Sequence, residues 1–349
     1  MDTPPLYVQR VLIAGAALLA LVLSVLVLRH VASVLLLIVA GILLAVFLDG
    51  LGTQLQKRTG LSRGWCLGLV ITLLGVFFVA AGWFAGPRID DQISQLGERI
   101  PSAIERIQST LSRYEWVHGP SLMGSGGSGR GMAFPEQAMS FVAGGITGAL
   151  GVLTSGLVVI IIGLYAAATP TVYINGIVRL LPPSRRQRGR AVLRALGQAL
   201  RWWLVGRIAS MAVVGVLTAI GLWVAGVPLA FVLGLIAALL SFVPYIGPLA
   251  AVIPAALVAL AEDPTKVIYV FALYGAVQLL ESYLITPLIQ ERAVSIPPAV
   301  LIAAQVIMGV LAGAAGVLMA TPLAVVLIVL VQMLYLEDVL GDSVSTLGE

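Results

Sequence analysis

The stretch Leu229–Ala261, LAFVLGLIAALLSFVPYIGPLAAVIPAALVALA, decides how this chain is read. It is apolar almost from end to end, yet PYIGP divides it into two runs, Leu229–Val243 and Leu249–Ala261. A helix rises 1.5 Å per residue, so neither run crosses ~30 Å of hydrocarbon. Free backbone N–H and C=O groups at that depth persist only where protein buries them or water reaches them. The stretch therefore predicts an interrupted helix inside a membrane protein.

The rest of the chain supports that solvent. Of 349 residues, 60% are hydrophobic and 10% charged. Soluble domains run near a quarter charged, so lipid must cover much of this surface. The net charge of +4 is read as cytoplasmic loops, not as nucleic-acid binding. Of the 20 basic residues only Lys57 and Lys266 are lysine. The one cysteine, Cys66, excludes an internal disulfide.

Working outward, Val11–Leu28 and Val31–Leu48 read as spans joined by a tight hairpin at Arg29–His30, and Trp65–Gly86 as a third. No small-residue cleavage site follows the first run, which is expected to be a retained span rather than a signal peptide. From Pro87 the composition changes. Isoleucine and leucine recur at steps of three and four from Ile89 to Leu111, an amphipathic helix with an expected break at Pro101. GPSLMGSGGSGRG (119–131) follows as a Gly/Ser linker without the phosphate-loop pattern. A Gly-rich fourth span lies within Phe141–Ala168, its glycines expected to let neighbouring helices approach. Thr169–Trp203 then carries seven arginines and no acid. Its periodicity predicts a basic amphipathic helix at an anionic membrane surface, with Arg185, Arg186, Arg188, Arg190, Arg194 and Arg201 as the surface set. Placing it inside puts the N-terminus in the cytoplasm by alternation.

The expected organisation is a three-span region (1–86), an extramembrane insert (87–140), a fourth span with the basic helix (141–203) and a core of broken helices (204–349). The fold class is an all-α polytopic bundle of about eight hydrophobic helices, two of them broken or re-entrant.

A second break is expected within MGVLAGAAGVLMATP (308–322). Pro244, Gly247 and Pro248 mark the first break; Gly309, Gly313, Gly316 and Pro322 mark the second. GPLAAV (247–252) and TPLAVV (321–326) hint at an internal repeat. Broken helices of this kind form solute and ion sites in secondary transporters; ordinary proline kinks in packed spans are the competing reading. The fifth span, Leu204–Ala225, starts near Arg207, read as a snorkelling interface residue. Gln278, Glu281 and Ser282 fall at i, i+3 and i+4, with Thr286 beyond them. A carboxylate within a span is costly, so Glu281 is expected to hold a proton or cation in a cavity, or to pair with Arg292 near the headgroups. Gln305 is a candidate for the same cavity. Neither His30 nor His118 has a metal-ligand neighbour, and no nucleotide or hydrolase motif occurs. No enzyme activity, cofactor or metal is expected.

At these motifs the sequence resembles the autoinducer-2 exporter family of bacterial permeases, over about Tyr165 to Asp342. The likeness is carried by LRWWLVGRIAS (200–210), SFVPYIGPLAAVIPA (241–255), LESYLITPLIQ (280–290) and SIPPAVLIAAQVIMGVLAGAAGVLMATPLAVVL (295–327). The N-terminal third matches only in plan. The resemblance implies a homo-oligomeric transporter of the bacterial inner membrane, exporting a small polar solute such as autoinducer-2 or exchanging Na+ for H+. The positions it carries over are Pro244, Gly247, Pro248, Pro254, Glu281, Pro287, Pro298, Gly309, Gly313, Gly316 and Pro322. The expected partners are the bilayer, a small solute and H+ or Na+, with no nucleic acid. A membrane scaffold using the 88–114 helix is the reading from another class.

Overall fold

The computed structural model describes residues 6–111, 154–285 and 296–341, and every regular element among them is helical. Helix α1 spans Leu6–Thr59 and α2 Arg63–Leu111. Helix α3, Thr154–Ala168, meets α4, Pro170–Arg179, at an 85° bend. Helix α5 runs Arg186–Val224, α6 Ala230–Leu240, α7 Ile246–Glu262 and α8 Lys266–Leu280, the last continuing as a π turn, Glu281–Ile285. Helix α9, Pro298–Leu330, passes into a π segment, Val331–Leu340. Five stretches are long and apolar enough to cross a membrane: Val31–Thr59, Arg63–Trp83, Pro183–Val224, Lys266–Leu284 and Pro298–Leu340. The bent α3–α4 pair can supply a sixth, and α6 and α7 are shorter apolar helices. Phe77, Phe78, Val79 and Trp83 stand 64–80% exposed, a side-chain surface that requires lipid.

Three sequence expectations about continuity are corrected. No reversal occurs at Arg29–His30; α1 is one helix of 54 residues. The junction holds no glycine, proline, asparagine or aspartate, and apolar helix formers flank it, so nothing stops the backbone ladder. The alternation that placed the N-terminus thereby loses a crossing. Pro87 and Pro101 do not interrupt α2, whose 49 residues run from the bilayer into the insert. The basic segment is likewise not a separate surface helix. Arg186–Val224 is a single helix of 39 residues, about 58 Å long, so its arginine-rich half continues the axis of a span.

Both expected breaks in the C-terminal half are chain reversals. After α6 the chain turns through residues 241–245, and Tyr245 takes a left-handed φ of +65°. A Cβ added to Gly247 would lie 1.8 Å from the Leu240 carbonyl oxygen, so the start of α7 presses on the end of α6. Pro248 sits in the first turn of α7, where its missing N–H costs no intrahelical bond. In α9 the reversal is at Ala312 (φ −135°) and Gly313 (φ +61°). A Cβ on Gly316 would lie 2.0 Å from the Met308 carbonyl oxygen, and one on Gly309 3.0 Å from Val317 Cγ2. Residues eight apart in a straight helix are about 12 Å apart along the axis. Ile296 packs against the buried cluster that includes Val325, Val329 and Met333, which a straight α9 would hold far away. Pro322, expected to mark the break, instead lies buried within the returning limb. Gly247 and Gly316 play matching parts, so the GPLAAV/TPLAVV likeness, which pairs Gly247 with Thr321, is out of register with the structural one.

Small residues set the packing of the first hairpin, 230–262. Gly215 and Ala219 of α5 meet Gly234 and Ala238 of α6, the small-xxx-small pattern on both faces. Leu222, Leu233, Ala255, Val258 and Val270 fill the core between α5, α6, α7 and α8. Leu96 of α2 packs on that core, and Gln92 Oε1 accepts the Val232 N–H at 3.1 Å, capping α6. The Gly-rich fourth span contributes differently from expectation. Gly156 meets nothing within 4 Å, whereas Gly163 lies against Leu44 of α1, and Gly41 against Ile162. The other glycines of that span, and the 119–131 linker, lie outside the described residues.

Two outcomes follow from the reversals. In a Cys66→Ser background, Gly309→Cys with Val317→Cys forms an intramolecular disulfide on mild oxidation, read by mass spectrometry, because only a reversed chain brings the two Cα atoms within the ~7 Å a disulfide needs. Gly247→Ala and Gly316→Ala each lower stability by about 1–3 kcal/mol in thermal unfolding. Gly197→Ala, with nothing within 4 Å, does not.

Candidate functional site

The last carbonyls of α6 are satisfied within the turn, by the amides of Ser241, Phe242 and Val243 and by Ser241 Oγ, while carbonyls of the turn itself accept side chains from other elements. Arg207 Nε, from α5, donates to the Phe242 carbonyl oxygen at 3.1 Å. Gln305 Nε2, from the outgoing limb of α9, donates to the Pro244 carbonyl oxygen at 2.9 Å. The tip of the first hairpin is thus held from two sides, and Gln305 ties it to the second hairpin. Gln305 has no solvent exposure.

Arg207 does not snorkel. Its side chain is 11% exposed and its Nη1 lies 3.2 Å from Glu281 Oε1. Ser210 Oγ donates to the same carboxylate oxygen at 2.6 Å. Ser210 lies almost one turn beyond Arg207 on α5, so one helix face presents cation and hydroxyl together. Glu281 is the one buried carboxylate among the described residues, and Arg207 neutralises it. Arg292 lies outside the described residues, as do Thr286 and Pro287.

Gln278, Glu281 and Ser282 do not share a face. Gln278 Nε2 donates to Ser282 Oγ at 3.3 Å, with Gln278 half-buried and Ser282 exposed. They line a groove of about 790 Å³ between α7 and α8, with Tyr245, Pro248, Leu249 and Phe271 on its other walls. The helix turns π at Glu281, and the carboxylate faces α5 instead. Pro254 lies inside α7, and Pro298 starts α9 as its first residue.

The arginines of the basic segment mostly find protein partners. Arg188 clamps the C-terminal segment through Glu337 (2.6 Å), Asp338 (2.9 Å) and the Met333 carbonyl. Arg201 reaches the Gly50 carbonyl of α1 at 2.9 Å, and Arg190 reaches Asn175 Oδ1 of α4 at 3.3 Å. Arg186 and Arg194 donate to the Leu181 and Arg190 carbonyls. Arg185, Arg186, Arg190 and Arg194 are exposed, Arg188 and Arg201 half-buried.

Two members of this cluster, Arg207 and Ser210, were missed from sequence. The available signal was an arginine and a serine three apart inside an apolar run, with a carboxylate inside a later one. A buried ion pair that loses one partner leaves an uncompensated charge, at about 3–5 kcal/mol. Arg207→Met is therefore expected to destabilise by about that much in thermal unfolding, and Arg207→Met with Glu281→Met to recover most of the loss.

A family model described as AI-2E family transporter matches residues 16–335. The chain is 29% identical over 294 residues to "Putative transport protein YrrI" of Bacillus subtilis (strain 168), covering 79% of each chain. It is 25% identical over 296 residues to "Putative transport protein YueF" of the same organism, covering 82% of this chain and 79% of that one. A shorter match, 38% over 152 residues, is to "Putative transport protein MT0215" of Mycobacterium tuberculosis (strain CDC 1551 / Oshkosh), covering 42% and 40%. The family match covers both hairpins and the Arg207–Glu281 pair, and the chain belongs to the AI-2E family of transporters.

Proposed function

We propose that the chain is a secondary transporter exporting a small polar solute across the bacterial inner membrane, with its working site where the two hairpins meet. The observation that carries this reading is the Gln305–Pro244 hydrogen bond between two chain reversals. Paired broken helices place irregular backbone at membrane depth, where a passing solute or ion can use it. We read both hairpins as re-entrant, since α6, α7 and the outgoing limb of α9 are each too short to span ~30 Å. Gln278 and Ser282 face the open groove and offer hydrogen bonds to a solute. Autoinducer-2 is the first solute to test, on the family's description. The exposed apolar faces meet lipid or further copies in a homo-oligomer, and the exposed arginines meet the cytoplasmic surface.

The Na+/H+ antiporter reading assigns Glu281 as the carrier carboxylate, and its burial favours that role. Its pairing with Arg207 weighs against it, because a carrier must first shed a cationic partner.

The test is efflux from proteoliposomes loaded with labelled autoinducer-2, with and without Na+ and pH gradients. Wild-type protein is expected to empty them faster than protein-free vesicles. The folded Arg207→Met/Glu281→Met variant is expected to lose at least tenfold in rate. Wild-type efflux from that double variant removes the ion pair from the mechanism.

A further inference from the structure

We infer that the pocket between the arginine-rich half of α5 and the last limb of α9 binds a phosphate oxyanion through Arg194, Gln198 and Gln332, and that the bound anion clamps the two helices together. Binding needs no solute, so the site stands apart from the transport reading.

The pocket follows from the residues of α5. Ala191 and Ala195 fall one turn apart and line the side toward α9, where their short side chains leave a space of about 340 Å³ between the helices. The floor is apolar, with Val329 and Met333 buried beneath it. The polar lining is three side chains, Arg194 and Gln198 from α5 and Gln332 from α9. Arg194 and Gln198 are exposed and Gln332 is half-buried. Arg194 spends Nε on the Arg190 carbonyl of its own helix, at 3.3 Å. Its two terminal nitrogens and both carboxamides have no protein partner among the described residues.

The charges around the pocket favour an anion. Among the described residues no carboxylate lines it. Residues 185–201 carry six arginines and no acid, while Glu337 and Asp338 at the end of α9 are both held by Arg188, at 2.6 and 2.9 Å. A guanidinium offers parallel N–H groups to an oxyanion, and each carboxamide adds N–H donors of its own. Donors arriving from two helices match the several oxygens of a phosphate better than the two coplanar oxygens of a carboxylate. Arg194 lies ten residues, about 15 Å, before the apolar run that opens at Leu204. A lipid phosphodiester and a phosphate ester in solution both reach that depth, and the apolar floor suits the organic part of either. The anion joins α5, which carries Arg207 and Ser210, to α9, which carries Gln305. Occupancy therefore steadies the two helices that build the candidate site.

The test follows thermal unfolding of the purified full chain in detergent. One arm adds glycerol 3-phosphate, against acetate and chloride at equal ionic strength. The other adds phosphatidylglycerol to the micelles, against diacylglycerol with the same chains. A ligand bound to the folded state raises the unfolding temperature saturably. The expected result is such a rise in at least one arm; the lipid arm alone assigns a headgroup, and a rise in the soluble arm assigns a phosphate ester free in solution. Arg194→Gln lowers the apparent affinity by about tenfold or more, since a charge-assisted bond is lost. Gln332→Leu lowers it too, and Arg194→Lys keeps part of it. Arg185→Gln removes an equal charge outside the pocket and leaves the rise unchanged. Helical circular dichroism and gel-filtration profiles establish that each variant is folded; should Gln332→Leu fail there, the exposed Arg194 decides alone. No rise in either arm overturns the site. So does an equal rise with acetate or diacylglycerol, or one that Arg185→Gln weakens as much as Arg194→Gln does, which would assign it to the basic surface at large. A rise in protein that moves no solute removes the transport reading and leaves this site standing.

Discussion

Hydrocarbon offers no hydrogen bonds, and that single constraint organises the C-terminal half of this protein. Two chain reversals inside apolar sequence expose carbonyls that lipid cannot satisfy. The fold supplies partners by bringing polar side chains from distant elements. Arg207 serves Phe242, and Gln305 adds a second donor to the Pro244 carbonyl, which also accepts the Ile246 N–H. Each such side chain then brings its own requirement. Arg207 carries a charge that needs Glu281, and Glu281 takes a second bond from Ser210. A polar network therefore grows from the need to close a turn, and the candidate site is that network.

The same network explains why the hairpins do not drift apart. Their apolar surfaces gain little from meeting one another rather than lipid, so close packing of small residues and specific polar bonds must hold them. Gly215, Ala219, Gly234 and Ala238 supply the first; Gln305 supplies the second. Tyr245 holds a strained left-handed conformation at the tip, the kind of outlier that persists only when its surroundings enforce it. Outside this core, α2 extends beyond its span to cap α6 with Gln92, which links the insert to the first hairpin. At the opposite end of the sequence Arg188 fastens the C-terminal segment to the start of α5.

Much of the fold was legible in the residues, and the failures share a cause. Both breaks were found because proline and glycine clusters interrupt otherwise apolar runs. Glu281 was singled out because a carboxylate in such a run must be explained. The hairpin at Arg29–His30 was misread because a charged pair between two apolar runs looks like a turn, yet it contains nothing that ends a helix. Arg207 was misread because its nearness to the start of a span resembles an interface position. The shared face of Gln278, Glu281 and Ser282 failed because the π turn at Glu281 departs from the 3.6-residue period on which that expectation was built.

The sequence by itself determined the solvent, the helical class and the places where helices must break, because hydropathy and backbone propensity are local properties. It also held the family motifs. Only the tertiary structure decided that both breaks reverse the chain, that they meet through Gln305, and that Glu281 is answered by Arg207. Those pairings join residues 61 and 74 positions apart. No local pattern encodes which polar group will satisfy which, since that depends on how the apolar helices pack once the bilayer has fixed what must be buried.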